Sequence, residues 1–202
     1  DKVNAQLSDL NLVALYTCPW PGQGFYFNKA VNSSKDTQGI KFRSYNSATA
    51  TFAEELGMVP VQVEAAELSQ ALATGVAESF ISSGSTGYDR KVWEHLSHYY
   101  KVNAWLPRNY VMVNKGVWEG LNSAMKGAVQ KAADETGAAC SAKSAELASW
   151  YFEQLEANGM AVEDASPEFL AELQAIGAKM TADWLASAGA DGQAILDAYK
   201  SN

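Results

Sequence analysis

Residues 39–57 read GIKFRSYNSATATFAEELG, a short apolar strand running into a helix with Arg43 at the join. An arginine on a strand edge is ordinarily solvated. Two neighbouring features argue for a further use. Ser44, Asn46 and Ser47 are N-cap candidates ahead of a helix expected over 48–56, so unpaired N–H groups and the positive end of a helix dipole fall just after Arg43. A planar fork of donors beside such a terminus suits a carboxylate or a phosphate.

Outward from that join, the patterning alternates. LVALY at 12–16 predicts a strand, which CPWPGQG then breaks with two prolines and two glycines, as a chain reversal or domain crossing would. Further strands are expected at 25–27, 40–43, 59–63 and near 78–81, with a polar turn at NSSKDTQG and a second helix over 65–74. Strands alternating with helices of this length indicate an α/β unit with a largely parallel sheet. Ligands in such sheets bind outside the carboxyl ends of strands, where Arg43 and Ser82 both fall. Glu67 reads as structural, an acid in the first turn of its helix.

The second half changes character. After a strand at 110–113 the chain is helix-rich, with Leu121, Met125, Val129, Ala132 and Ala133 spaced as one apolar stripe and Gly159 as its stop. Ser166, Pro167 and Glu168 supply a cap, a first-position proline and a first-turn acid for a last helix, which should turn Phe169, Leu173, Ile176 and Met180 inward. Trp118, Trp150, Tyr151 and Trp184 read as packing anchors within these helices.

At 202 residues, 48% hydrophobic and 19% charged, the chain has the makeup of one large folded domain or two small lobes. A net charge of −8 opposes nucleic acid as a partner, since phosphate binding needs clustered Lys and Arg. No apolar run is long enough to span a membrane, and the opening DKVNAQL has no basic segment followed by an apolar one. On an exported protein the signal would already have been removed. Cys18 and Cys140 fit no zinc or CxxC spacing; one disulfide and two buried thiols are both open, and free thiols are favoured. EHLSH at 94–98 puts its histidines at i and i+3, not the i and i+4 of a zincin helix, so a solvated helix face is expected and no metal or cofactor is assigned.

The stretch GIKFRSYNSATATFAEELGMVPVQVEAAELSQALATGVAESFISS resembles the DctP-type solute-binding proteins of TRAP transporters. The shared pattern is G-x-K-x-R ahead of an Asn-capped helix, L-G then P-V, A-E with Q-A-L, and T-G-x-x-[DE]. VWEHLSHYYKVNAWLPRNYVMVNKGVWEGL is similar to the family's W-E…N…P-x-N…V-N-K-x-x-W segment, and PWPGQGFYFNKAV to its crossing into the second lobe. Roughly the first third of the usual family chain has no counterpart.

The resemblance implies a periplasmic-binding-protein-like α/β fold with an incomplete first lobe. Residues 1–20 would be the remnant of that lobe and the crossing, 21–106 the ligand lobe, and 107–202 the return strand and C-terminal helices. It also implies a periplasmic receptor that holds a small organic acid and passes it to TRAP permease subunits. Arg43 takes the family's carboxylate-binding arginine position, suited by its fork. Ser82 and Ser83 stand where many members have an asparagine. Gln23 stands nearest a second arginine found in some members, so one full charge is missing. The expected ligand is therefore a monocarboxylate, or a 2-oxo or hydroxy acid, with an apolar or aromatic tail. Phe25, Tyr26, Tyr88, Trp93 and Trp105 are candidate wall aromatics, and Asn103 and Asn109 candidate cleft or crossing residues.

Two other readings compete. An α/β enzyme would need a nucleophile and base within reach, and the chain offers only His95 and His98 and no GxSxG. A fragment with an exposed lobe face could instead self-associate.

Overall fold

Alternating apolar residues build a sheet here that is covered on both faces. The computed structural model describes residues 2–201; Asp1 and Asn202, the outermost residues of the domain reading, lie outside it. The order is α1 (Lys2–Asp9), β1 (Leu12–Pro19), β2 (Gln23–Phe27), β3 (Lys41–Ser44), α2 (Ser47–Glu55), β4 (Val59–Gln62), α3 (Leu68–Ala73), β5 (Ser79–Ser82) and α4 (Gly84–Asp89). Then follow β6 (His98–Trp105), β7 (Arg108–Asn114), α5 (Lys115–Gly120), α6 (Ser123–Ala157), β8 (Ala161–Glu163) and α7 (Pro167–Lys200).

Six strands form one sheet in the order β4-β3-β5-β2-β6-β8. β3 runs parallel to β4 and β5, and β6 parallel to β8, while β2 lies antiparallel between β5 and β6. Parallel pairings thus prevail, with β2 as the reversed strand. β1 and β7 form a separate antiparallel pair, from Leu12 opposite Asn114 to Pro19 opposite Arg108.

Successive strand side chains face opposite ways, and the two cores divide accordingly. Phe25, Phe27, Phe42, Ile81 and Tyr100 join Phe52 of α2 and Phe169 and Leu173 of α7 on one face. Tyr26, Phe80 and Tyr99 join Leu68 and Leu72 of α3 and Leu155 of α6 on the other. Tyr26 stacks on Phe80 with ring centroids 4.3 Å apart.

Local chemistry sets the helix ends. Asn46 caps α2, its side chain accepting from the Thr49 N–H at 2.9 Å while Thr49 Oγ1 accepts from the Asn46 N–H. Gly57, at φ +71°, then turns the chain into β4. Ser166 caps α7 through the Phe169 N–H at 3.0 Å, with Pro167 in the first turn, and Ile176 and Met180 follow Phe169 and Leu173 onto the core as their spacing predicts. α6 stops at Asn158 and Gly159, the latter at φ +91°.

Several expectations are corrected. Cys18 and Cys140 form a disulfide, with Cα atoms 5.6 Å apart, that ties β1 to α6; sequence distance concealed a pair that folding brings together. EHLSH is not a helix face: Val92–Glu94 is one 3-10 turn and His98 opens β6, where its Nδ1 shares a hydrogen bond with Ser97 Oγ. The stripe on α6 is largely uncovered, with Met125 54% exposed and only Ala133 and Leu155 buried. Period 3.6 gives a helix a face but not a partner, and this helix meets the rest of the fold mainly at β1, α4 and β8. Trp150 and Trp184 are likewise exposed, while Trp118 and Tyr151 are half-buried; Trp150 still packs edge-on against Tyr88 of α4. No helix among the described residues is long and apolar enough to cross a membrane.

Candidate ligand-binding site

The carboxyl ends of β3, β5 and β6 and the amino end of β2 meet at one edge of the main sheet, because β2 alone runs the other way. Register places Gly24 opposite Ser82 and Gln23 opposite Trp105 at that edge. Arg43 sits one residue before the end of β3, and the capped N-terminus of α2 follows it. This is where open α/β sheets bind ligands.

Arg43 is 4% exposed, yet it forms no ion pair with a carboxylate among the described residues. Its Nε donates to the Val63 carbonyl at 2.8 Å, and its guanidinium carbon lies 5.3 Å from the centroid of the Tyr45 ring. Burial lowers its pKa, while Tyr45 and Glu64 push it back up. An arginine stays charged under such a shift, so the edge holds a buried cation that no carboxylate among the described residues approaches to ion-pair distance.

Tyr45 links this cation to the next candidate. Its hydroxyl donates to Gln23 Oε1 at 2.8 Å, and burial raises its pKa against the opposing pull of Arg43 and of that hydrogen bond. Sequence reasoning passed over Tyr45, although its i, i+2 spacing from Arg43 in extended chain was a usable signal. Trp105 stands edge-on to Phe52 at 5.1 Å. Asn103, exposed and at φ +48°, lays its side chain over Gly22, next to Gln23. With Trp105 it opens a cavity of about 440 Å³ that continues along α7 past Leu173, Met180 and Trp184.

Arg43, Gln23, Ser82, Trp105 and Asn103 therefore share one edge, and six candidates do not join them. Phe25 is fully buried and stacks between Phe27 and Phe52, so it is core and not wall; Tyr26 is equally buried. The strand that carries Gln23 to the edge sends its next residues into both cores. Ser83 is also fully buried, its hydroxyl shared with Ser85 at 2.7 Å and its carbonyl accepting from the Tyr26 hydroxyl. Asn109 lies on the β1–β7 pair opposite Cys18, where its Oδ1 accepts from the Trp20 indole N–H at 3.0 Å. Tyr88 joins Trp93, Trp150 and Tyr151 in a separate aromatic group. No group of three or more His, Cys, Asp or Glu among the described residues is placed to hold a metal.

Residues 2–187 match the family model of bacterial extracellular solute-binding proteins, family 7 (DctP). The whole chain superposes, at TM-score 0.97 and 84% identity, on 66% of a TRAP solute-binding protein from an unidentified marine microbe, crystallised with co-purified pyroglutamate. It superposes equally well, at 42% identity, on 67% of DctP6 from Bordetella pertussis, an extracytoplasmic receptor binding pyroglutamic acid. DctP7 of the same organism, also a pyroglutamic acid receptor, is 36% identical over 98% of this chain and 66% of its own, at TM-score 0.96. The chain thus spans about two thirds of the length of these proteins, and it belongs to the DctP family of bacterial extracellular solute-binding proteins.

Proposed function

We propose that this chain carries the ligand lobe of a periplasmic receptor that captures pyroglutamate, or a closely similar cyclic monocarboxylate, for the membrane subunits of a TRAP transporter. Residues 21–106 form that lobe in this reading, with 107–202 as the return strand and C-terminal helices. The observation that carries it is the buried Arg43 cation at the sheet edge, with no carboxylate at ion-pair distance among the described residues. A fork of donors answers a carboxylate. The similarity to receptors crystallised with or binding pyroglutamate supports the finer choice. Among the described candidates brought to this edge Arg43 alone carries a full positive charge, which favours one carboxylate over two, and Gln23 and Ser82 suit an uncharged oxygen. A compact lactam ring replaces the aromatic tail expected above, since Phe25 and Tyr26 line no surface.

Calorimetric titration of the 202-residue chain with L-pyroglutamate, succinate and D-glucuronate tests the reading. Pyroglutamate should bind tightest and Arg43→Ala should abolish the signal. Stronger binding of succinate, or full binding by Arg43→Ala, would overturn it.

A further inference from the structure

Arg43 and Gln23 stand on strands that are not neighbours, since β5 lies between β3 and β2. Tyr45 bridges them, with its ring against the guanidinium and its hydroxyl on Gln23 Oε1. Each contact constrains a different group. With Nε given to the Val63 carbonyl, the donors left to Arg43 for a bidentate anion are the two terminal nitrogens. With its oxygen taken by the phenol, the Gln23 amide presents its NH₂.

We propose that Tyr45 is a positioning and specificity-determining residue: it orients the Arg43 fork and fixes Gln23 as a hydrogen-bond donor. The pair then selects acids that carry a carboxylate together with an uncharged acceptor oxygen, as lactam, 2-oxo and hydroxy acids do. A ligand lacking that oxygen leaves the Gln23 donor unpaired, and unpaired buried donors discriminate strongly. Without the phenol the amide is free to turn its oxygen outward and loses that preference. This inference rests on the receptor reading above.

The test uses ¹⁵N-labelled chain, with the Arg43 Nε–H resonance assigned by its loss in Arg43→Lys. L-pyroglutamate is titrated beside cyclopentanecarboxylate, which keeps the ring and carboxylate but has no acceptor carbonyl. Tyr45→Phe keeps the ring under the guanidinium, so cyclopentanecarboxylate affinity should hold while the preference for pyroglutamate falls about tenfold, the scale of one hydrogen bond. Tyr45→Leu should also shift the Arg43 Nε–H signal and weaken both acids, and Phe at this position should restore the signal. An unchanged preference in Tyr45→Phe overturns the specificity role. An unmoved Nε–H signal in Tyr45→Leu overturns the positioning role. If neither acid binds the parent chain, the receptor reading falls and the specificity role with it, while the resonance still decides the positioning role in free protein.

Discussion

Arg43 reaches the Val63 carbonyl through Nε at 2.8 Å, a contact that binds the end of β3 to the residue just past β4. One hydrogen bond to a carbonyl does not neutralise a buried cation, and the desolvation cost of the guanidinium remains in the free chain. Function and stability should therefore separate at this position. Arg43→Met is expected to leave the melting temperature unchanged or raise it, while carboxylate binding weakens by about 2–5 kcal/mol. A melting temperature several degrees lower would make Arg43 a structural residue.

The Cys18–Cys140 disulfide closes a loop across 122 residues and fastens β1 to α6. A link of that span strongly restricts the unfolded chain, and its removal should cost about 2–5 kcal/mol. Denaturant unfolding of Cys18→Ser/Cys140→Ser beside the oxidised parent measures this directly. Thiol titration of the parent under denaturing conditions should find no free thiol.

Much of this fold was legible because its signals are local. Asn46, Ser166 and Gly159 each act within a few residues of themselves, and the structure places helix ends at all three. Arg43 was marked by the same helix start. What stayed hidden depends on distant partners. Nothing near Cys18 announces Cys140, and nothing in the stripe through Met125 and Val129 says that the stripe is left uncovered. Phe25 and Ser83 lie buried where cleft positions were expected for a related reason: each stands within two residues of the candidate edge, and only the pleat and the path of the chain decide which residue faces out.

Phe25 makes that distinction measurable. Its ring contacts Phe27, Phe42, Phe52 and Phe169 in one core. Phe25→Ala should cost about 3–5 kcal/mol of stability, as a large cavity in a packed aromatic cluster does. At a temperature where the variant is still folded, its pyroglutamate affinity should stay within about threefold of the parent's, a difference below 1 kcal/mol. A lost affinity with unchanged stability would return Phe25 to the ligand wall.

Tyr26 and Tyr99 fix how the chain responds to alkali. Both phenols are buried, and desolvation raises both pKa values above the ordinary tyrosine value, with the neighbouring tyrosine adding to the effect on Tyr26. The unfolded chain ionises its tyrosines near pH 10, whereas the folded chain resists ionising these two. Between the unfolded and the folded pKa values the unfolded state binds fewer protons, so stability falls as pH rises. It should therefore be fully present below about pH 9 and decline steadily above about pH 10. Melting temperatures between pH 8 and 11.5, read beside tyrosinate absorbance near 295 nm, check this. In Tyr26→Phe the decline should be shallower, because that ring no longer has a proton to lose on unfolding. A parent whose tyrosines all titrate near pH 10 without unfolding would show instead that these two rings reach solvent in the native state.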